Sequence, residues 1–151
     1  PRAIRDVYKR QIYTSCLKRT QETAQLAFPD RQVQPIADFD ERGFGQWEGL
    51  TADEIEAAFP EVWQAWLGAP FEVTPPEAEV FSDFQTRVWA ATDRLLDSTE
   101  ESIALVAHLG VLRLIYQHLV DGEAVFWNID VPQGRVLFLE ERDQTWQATL
   151  L

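Results

Sequence analysis

Residues 102–113, Ser-Ile-Ala-Leu-Val-Ala-His-Leu-Gly-Val-Leu-Arg, constrain the fold more than any other stretch of the chain. The apolar run 103–107 predicts a buried strand. A histidine stands at its end, and a glycine follows two residues later. A helical pattern then begins, with Leu112, Ile115, Tyr116 and Leu119 sharing one face. Ligands collect at the C-terminal ends of strands that turn into helices in this way. The helix start offers free backbone N–H groups and a partial positive charge, which suit an anion. His108 would sit where that anion binds. A histidine in this place is also a common hydrogen-bonded residue at the edge of a core, and this stretch alone leaves both readings open.

The rest of the chain alternates strands with helices. Residues 11–14 read as a short strand, Ser15 as the cap of a helix over 16–28 that Pro29 ends, and 33–36 as a second strand. Arg19 falls in the first or second turn of that helix. A cation is misplaced there against the helix dipole unless an anion compensates it; a solvated arginine is the alternative. The loop 38–49 is dense in glycines, aromatics and acids. Its Glu41 and Glu48 are candidate general acids, because a carboxylate packed among aromatics such as Phe44 and Trp47 can have a raised pKa. A solvated loop glutamate is the plainer reading of each.

Thr51-Ala-Asp-Glu54 is a capping box that opens a helix ending before Pro60. Pro60 opens another, with Trp63, Trp66 and Leu67 on its apolar side. Ser82-Asp-Phe-Gln85 reads as a second capping box, starting a helix with Phe84, Val88, Ala91 and Leu95 in line. Residues 135–140 and 145–150 pair about Asp143. The expected class is α/β, a three-layer α/β/α sandwich with helices on both faces of the sheet. Residues 41–76 would cap the strand ends.

Composition narrows the chemistry. At 151 residues one domain is expected. The single cysteine, Cys16, permits no internal disulfide and fits a cytoplasmic setting. No apolar run approaches a membrane span. The net charge of −12 would repel nucleic acid and anionic lipid, so neither is an expected partner. His108 and His118 are the only histidines, and their spacing is not that of a chelating pair; no metal or other cofactor is expected. No Gly-x-Ser-x-Gly elbow and no glycine-rich nucleotide loop occur, and Cys16 has no obvious base.

Four ordered segments carry a family resemblance. Ile12-Tyr-Thr-Ser-Cys-Leu-Lys-Arg-Thr-Gln-Glu-Thr-Ala24 resembles the SSPLxRAxxTA segment of the histidine phosphatase superfamily, also called phosphoglycerate mutase-like. Glu41-Arg-Gly-Phe-Gly-Gln-Trp-Glu-Gly-Leu50 resembles its ExxFGxWEG loop. Pro76-Glu-Ala-Glu79 with Asp83, Phe84, Arg87 and Val88 is similar to its GGES…DF…RV segment, and Val106-Ala-His-Leu-Gly-Val-Leu-Arg113 to its VAHGGVLR strand end. The tryptophan loop leans toward the small-phosphatase, α-ribazole phosphatase-like branch. The resemblance implies a small phosphorylated substrate and a phosphomonoesterase mechanism. A histidine attacks phosphorus, the leaving alcohol takes a proton from a glutamate, and water then cleaves the phosphohistidine. Carried over residue by residue, Arg19 clamps phosphate, Glu41 is the proton donor, and His108 is the second histidine of the pocket. Leu109 stands where the family usually has glycine, keeping the backbone N–H. Val80 replaces the usual serine.

The family's nucleophile lies in an N-terminal Arg-His-Gly motif, and this sequence contains none. Residues 1–11 are read instead as a non-native or flexible arm; Asp6–Gln11 resembles a translated sequencing-adapter remnant. Residues 12–151 are then an incomplete domain of this type lacking its N-terminal core strand, a fragment expected to be inactive. The alternatives are a degenerate binder of a phosphorylated ligand, a phosphoglycerate mutase-type phosphotransferase, and an acidic interaction module. Oligomeric state is open at this point.

Overall fold

A computed structural model describes residues 11–98 and 102–151. Strand β1 (Gln11–Thr14) lies in the middle of a parallel sheet ordered β2-β1-β3, with β2 at Val33–Pro35 and β3 at Ile103–Val106. Ile12 stands between Val33 and Ala104, and Thr14 between Pro35 and Val106. This register ends β1 and β3 side by side, so the residues after them, Ser15 and Ala107, leave the sheet at the same end. The Ser15 N–H donates to the Val106 carbonyl at 3.3 Å. Parallel neighbours need a crossover, and helix α1 (Lys18–Ala27) supplies the one from β1 to β2, packing against all three strands. The α/β class is as expected, and the sheet is parallel. β3 is half-buried along its length rather than buried, because among the described residues it pairs on one side only.

The chain divides into two compact units, one running up to Glu41 and resuming at Val88, the other Arg42–Arg87. In the first, helix α5 (Leu109–Leu119) follows β3, and an antiparallel hairpin, β4 (Leu137–Arg142) with β5 (Thr145–Leu150), ends the chain. In the second, helix α2 (Ala52–Ala58) starts on the expected capping box. The Thr51 hydroxyl oxygen accepts from the Glu54 N–H at 3.2 Å. Pro60 opens helix α3 (Pro60–Gly68), whose Trp63 and Trp66 pack with Trp47 at centroid separations of 5.7–5.8 Å, while Leu67 is exposed. The chain crosses itself closely at Gly45, where a φ of +55° and a Cβ that would collide with the Pro76–Ala78 backbone both demand glycine. Helix α4 (Phe81–Asp97) carries the chain back to the first unit, burying the expected stripe Phe84, Val88, Ala91 and Leu95.

Three local expectations are corrected. Helix α1 begins at Lys18, with Leu17 at its N-cap position and no side-chain cap; the Ser15 hydroxyl is used elsewhere. Helix α4 begins one residue before Ser82, because the Val80 carbonyl already accepts from Asp83 and Phe84 N–H groups; Ser82 lies inside the helix. Helix α5 buries Val111, Leu114 and Ile115, so of the expected stripe only Ile115 is fully buried. The apolar face of that helix is broad, with Arg113, Gln117 and His118 off it, and two stripes on that face satisfy the same period. The expected N-terminal arm lies outside the described residues except for Gln11, the first residue of β1.

Candidate active site

The site is built where β1 and β3 end. His108 holds the N-cap position of α5 with extended backbone (φ −129°, ψ 158°), and its carbonyl accepts from the Leu112 N–H at 2.9 Å. Its side chain makes no cap bond, so the first N–H groups of α5 are left for other acceptors. One of them is taken by Glu41: the Gly110 N–H donates to its carboxylate at 3.2 Å. A Cβ at position 110 would run into that carboxylate, so glycine here makes room for Glu41. An anionic group at a helix N-terminus is favoured by the dipole.

The imidazole of His108 is buried, 8% exposed, and held from both sides. Its Nε2 lies 2.8 Å from Ser15 Oγ, and its Nδ1 lies 3.2 Å from Arg19 Nη2. Arg19 sits in the first turn of α1, as its position in the sequence predicted. Ser15 Oγ also accepts from the Leu17 N–H at 3.2 Å and lies 2.7 Å from Thr20 Oγ1. Asp40, next to Glu41, accepts from the Cys16 N–H at 2.7 Å and fixes the turn between β1 and α1. His108 titrates below the usual histidine value. Burial is the main cause; Glu41 and Asp40 oppose the shift, and Arg19 adds to it.

The structure therefore brings Arg19, Glu41, His108 and the Leu109–Gly110 backbone to one place within a single unit. Leu109 is the first residue of α5, so its N–H has no acceptor within the helix. Glu41's carboxylate accepts the Gly110 N–H and lies close enough to His108 to favour its charged form. Glu48 is exposed in the other unit and accepts from the Phe44 N–H at 2.7 Å. His118 lies in the last turn of α5, bonded to Asp93 at 2.8 Å and stacked on Trp89. Sequence reasoning missed Ser15, Thr20, Asp40 and the reason for Gly110. Among the described residues no group of histidines, cysteines and carboxylates has metal-binding geometry, and no helix is long and apolar enough to cross a membrane.

A buried histidine, a guanidinium and a helix N-terminus can hold an oxyanion, and a nearby carboxyl can deliver a proton to it. Comparison with known proteins points the same way. The sequence model of the Histidine phosphatase superfamily (branch 1) matches residues 1–151. The chain is 33% identical over 127 residues to the adenosylcobalamin/alpha-ribazole phosphatase of Escherichia coli (strain K12), covering 82% of this chain and 63% of that protein. It is 32% identical over 133 residues to the fructose-2,6-bisphosphatase of Saccharomyces cerevisiae, covering 87% of this chain and 28% of that protein. The crystal structure of a putative alpha-ribazole-5'-P phosphatase from Escherichia coli superposes with a TM-score of 0.85 at 28% identity, covering 94% of this chain and 72% of that one. The chain thus spans less than two thirds of the length of the first of these curated relatives.

Proposed function

Because the chain belongs to the histidine phosphatase superfamily, we propose that it carries the phosphoryl-binding and proton-donating part of a phosphomonoesterase for small phosphorylated metabolites. The observation that carries this reading is the Arg19–His108 pair beside the N-terminus of α5, with Glu41 on the same helix end. Arg19 and the Leu109 N–H hold the equatorial phosphoryl oxygens, on which charge is spread in the transition state. His108 completes that cradle. Glu41 gives a proton to the leaving alcohol as the P–O bond breaks, since an alkoxide is a poor leaving group. The substrate is a phosphate monoester such as the one for which the E. coli relative is named.

The family chemistry runs through a phosphohistidine, and neither histidine of this chain is offered as its nucleophile. His108 belongs to the cradle, and His118 is bonded to Asp93 in the last turn of α5. The chain as it stands is therefore expected to bind phosphate without turning over a monoester. The same count of histidines supports the second reading, a ligand binder that does no chemistry.

The test is calorimetric binding of inorganic phosphate together with para-nitrophenyl phosphate hydrolysis. Phosphate is expected to bind wild type, Arg19→Ala to weaken it at least about tenfold, the worth of a charge-assisted hydrogen bond, and hydrolysis to stay at background. Unchanged affinity in Arg19→Ala contradicts the site. Hydrolysis that disappears in Arg19→Ala keeps the site and refutes the absence of a nucleophile.

A further inference from the structure

The hydrogen bonds around His108 run in one direction only. A guanidinium donates and cannot accept, so Arg19 Nη2, 3.2 Å from Nδ1, makes Nδ1 the acceptor. A neutral ring then carries its proton on Nε2, which donates to Ser15 Oγ at 2.8 Å. Ser15 Oγ also accepts from the Leu17 N–H, which fills its two lone pairs. Its own proton goes to Thr20 Oγ1 at 2.7 Å, and Thr20 passes its proton to the Leu17 carbonyl at 2.8 Å. Thr20 and Ser15 are 4% and 0% exposed, so water does not compete for these groups. Reversing the chain would point an Nδ1–H at the guanidinium.

We propose that Ser15 and Thr20 are positioning residues that lock His108 in its Nε2–H tautomer, with the Nδ1 lone pair facing Arg19 until an anion arrives. The lock excludes Ser15 as a nucleophile, because both its lone pairs are engaged and the adjacent ring nitrogen already holds a proton. A further consequence rests on the phosphate-site reading above. For Nδ1 to donate to an oxyanion it must first gain a proton, so anion binding takes up a proton at Nδ1 while the Arg19 N–H turns from the ring to the anion. The charged groups facing the ring are Glu41, Arg19 and Asp40. The two carboxylates favour the charged ring once the anion has engaged the guanidinium.

The experiment is a 15N spectrum of the histidine rings in the full chain near neutral pH, with sulfate as an anion that does not itself titrate there. Free wild type is expected to show His108 protonated on Nε2 and bare on Nδ1. Sulfate binding is expected to take up protons, read as a dependence of the calorimetric heat on buffer ionisation enthalpy. In Thr20→Val the Ser15 proton loses its acceptor and turns to the ring, moving His108 toward the Nδ1–H form. With Nδ1 already protonated, Thr20→Val should bind sulfate without the proton uptake of wild type, and Thr20→Ser should restore both readouts. An Nδ1–H tautomer in wild type, or a Thr20→Val ring spectrum identical to wild type, overturns the lock. Sulfate binding to wild type without proton uptake overturns the coupling. Failure of sulfate to bind a chain that shows the Nε2–H tautomer contradicts the phosphate-site reading and leaves the lock standing.

Discussion

His108 is buried between Ser15 and Arg19, and burial more than any neighbouring charge disfavours its protonated form. Its folded pKa therefore lies below the unfolded value near ~6.5. Between those two values the unfolded chain binds more protons than the folded one, so stability falls as pH drops through that window and is flat above it on this account. His108→Gln keeps an amide donor for Ser15 and removes the titration. Urea unfolding from neutral pH down to about pH 5 is expected to show a steeper loss in wild type than in His108→Gln; parallel curves would contradict a buried neutral imidazole. Single-residue chemistry was partly legible in the sequence. Arg19 drew notice as a cation at the wrong end of a helix, and His108 as a titratable group at a strand tip. Ser15 and Thr20 did not, because a serine before a helix looks like a cap, and Ser15's partner His108 lies past the end of β3, 93 residues away.

Local sequence signals marked the elements well where a turn or cap has specific chemistry. The Thr51 box and Pro60 each start a helix as read. They failed where two local solutions compete: Ser82 against Val80 for the start of α4, and two apolar stripes on α5. The terminal hairpin shows both sides. Pairing about Asp143 was expected, and β4 and β5 do pair there, with the register starting at Arg142 and Thr145. The two turn residues, Asp143 (φ 53°) and Gln144 (φ 64°), are both left-handed, as a two-residue turn that matches strand twist requires. Aspartate adopts that region more readily than glutamine, which holds it at a cost. Gln144→Gly is expected to raise stability by about 1 kcal/mol, measured as a shift in the denaturant midpoint at unchanged slope; a lowered midpoint would contradict the turn.

For the whole molecule, parallel pairing of β1 with β3 assembles the site from residues distant in sequence, and that pairing is what composition and periodicity could not specify. Three of the four family-like segments, each weak alone, contain Arg19, Glu41 and His108, the residues that the structure brings together at the start of α5. The acidity of the chain, −12 overall, works against any anionic ligand. On the proposed function, binding rests on Arg19, His108 and the start of α5 rather than on the general field. The most direct measurement is a titration of the full chain with inorganic phosphate, followed through the backbone amides of Leu109 and Gly110 and the His108 ring by NMR. Saturable shifts centred on these three residues, and lost in Arg19→Ala, are the predicted result. Shifts that leave them unmoved, or that persist in Arg19→Ala, would contradict a phosphoryl site at this helix start.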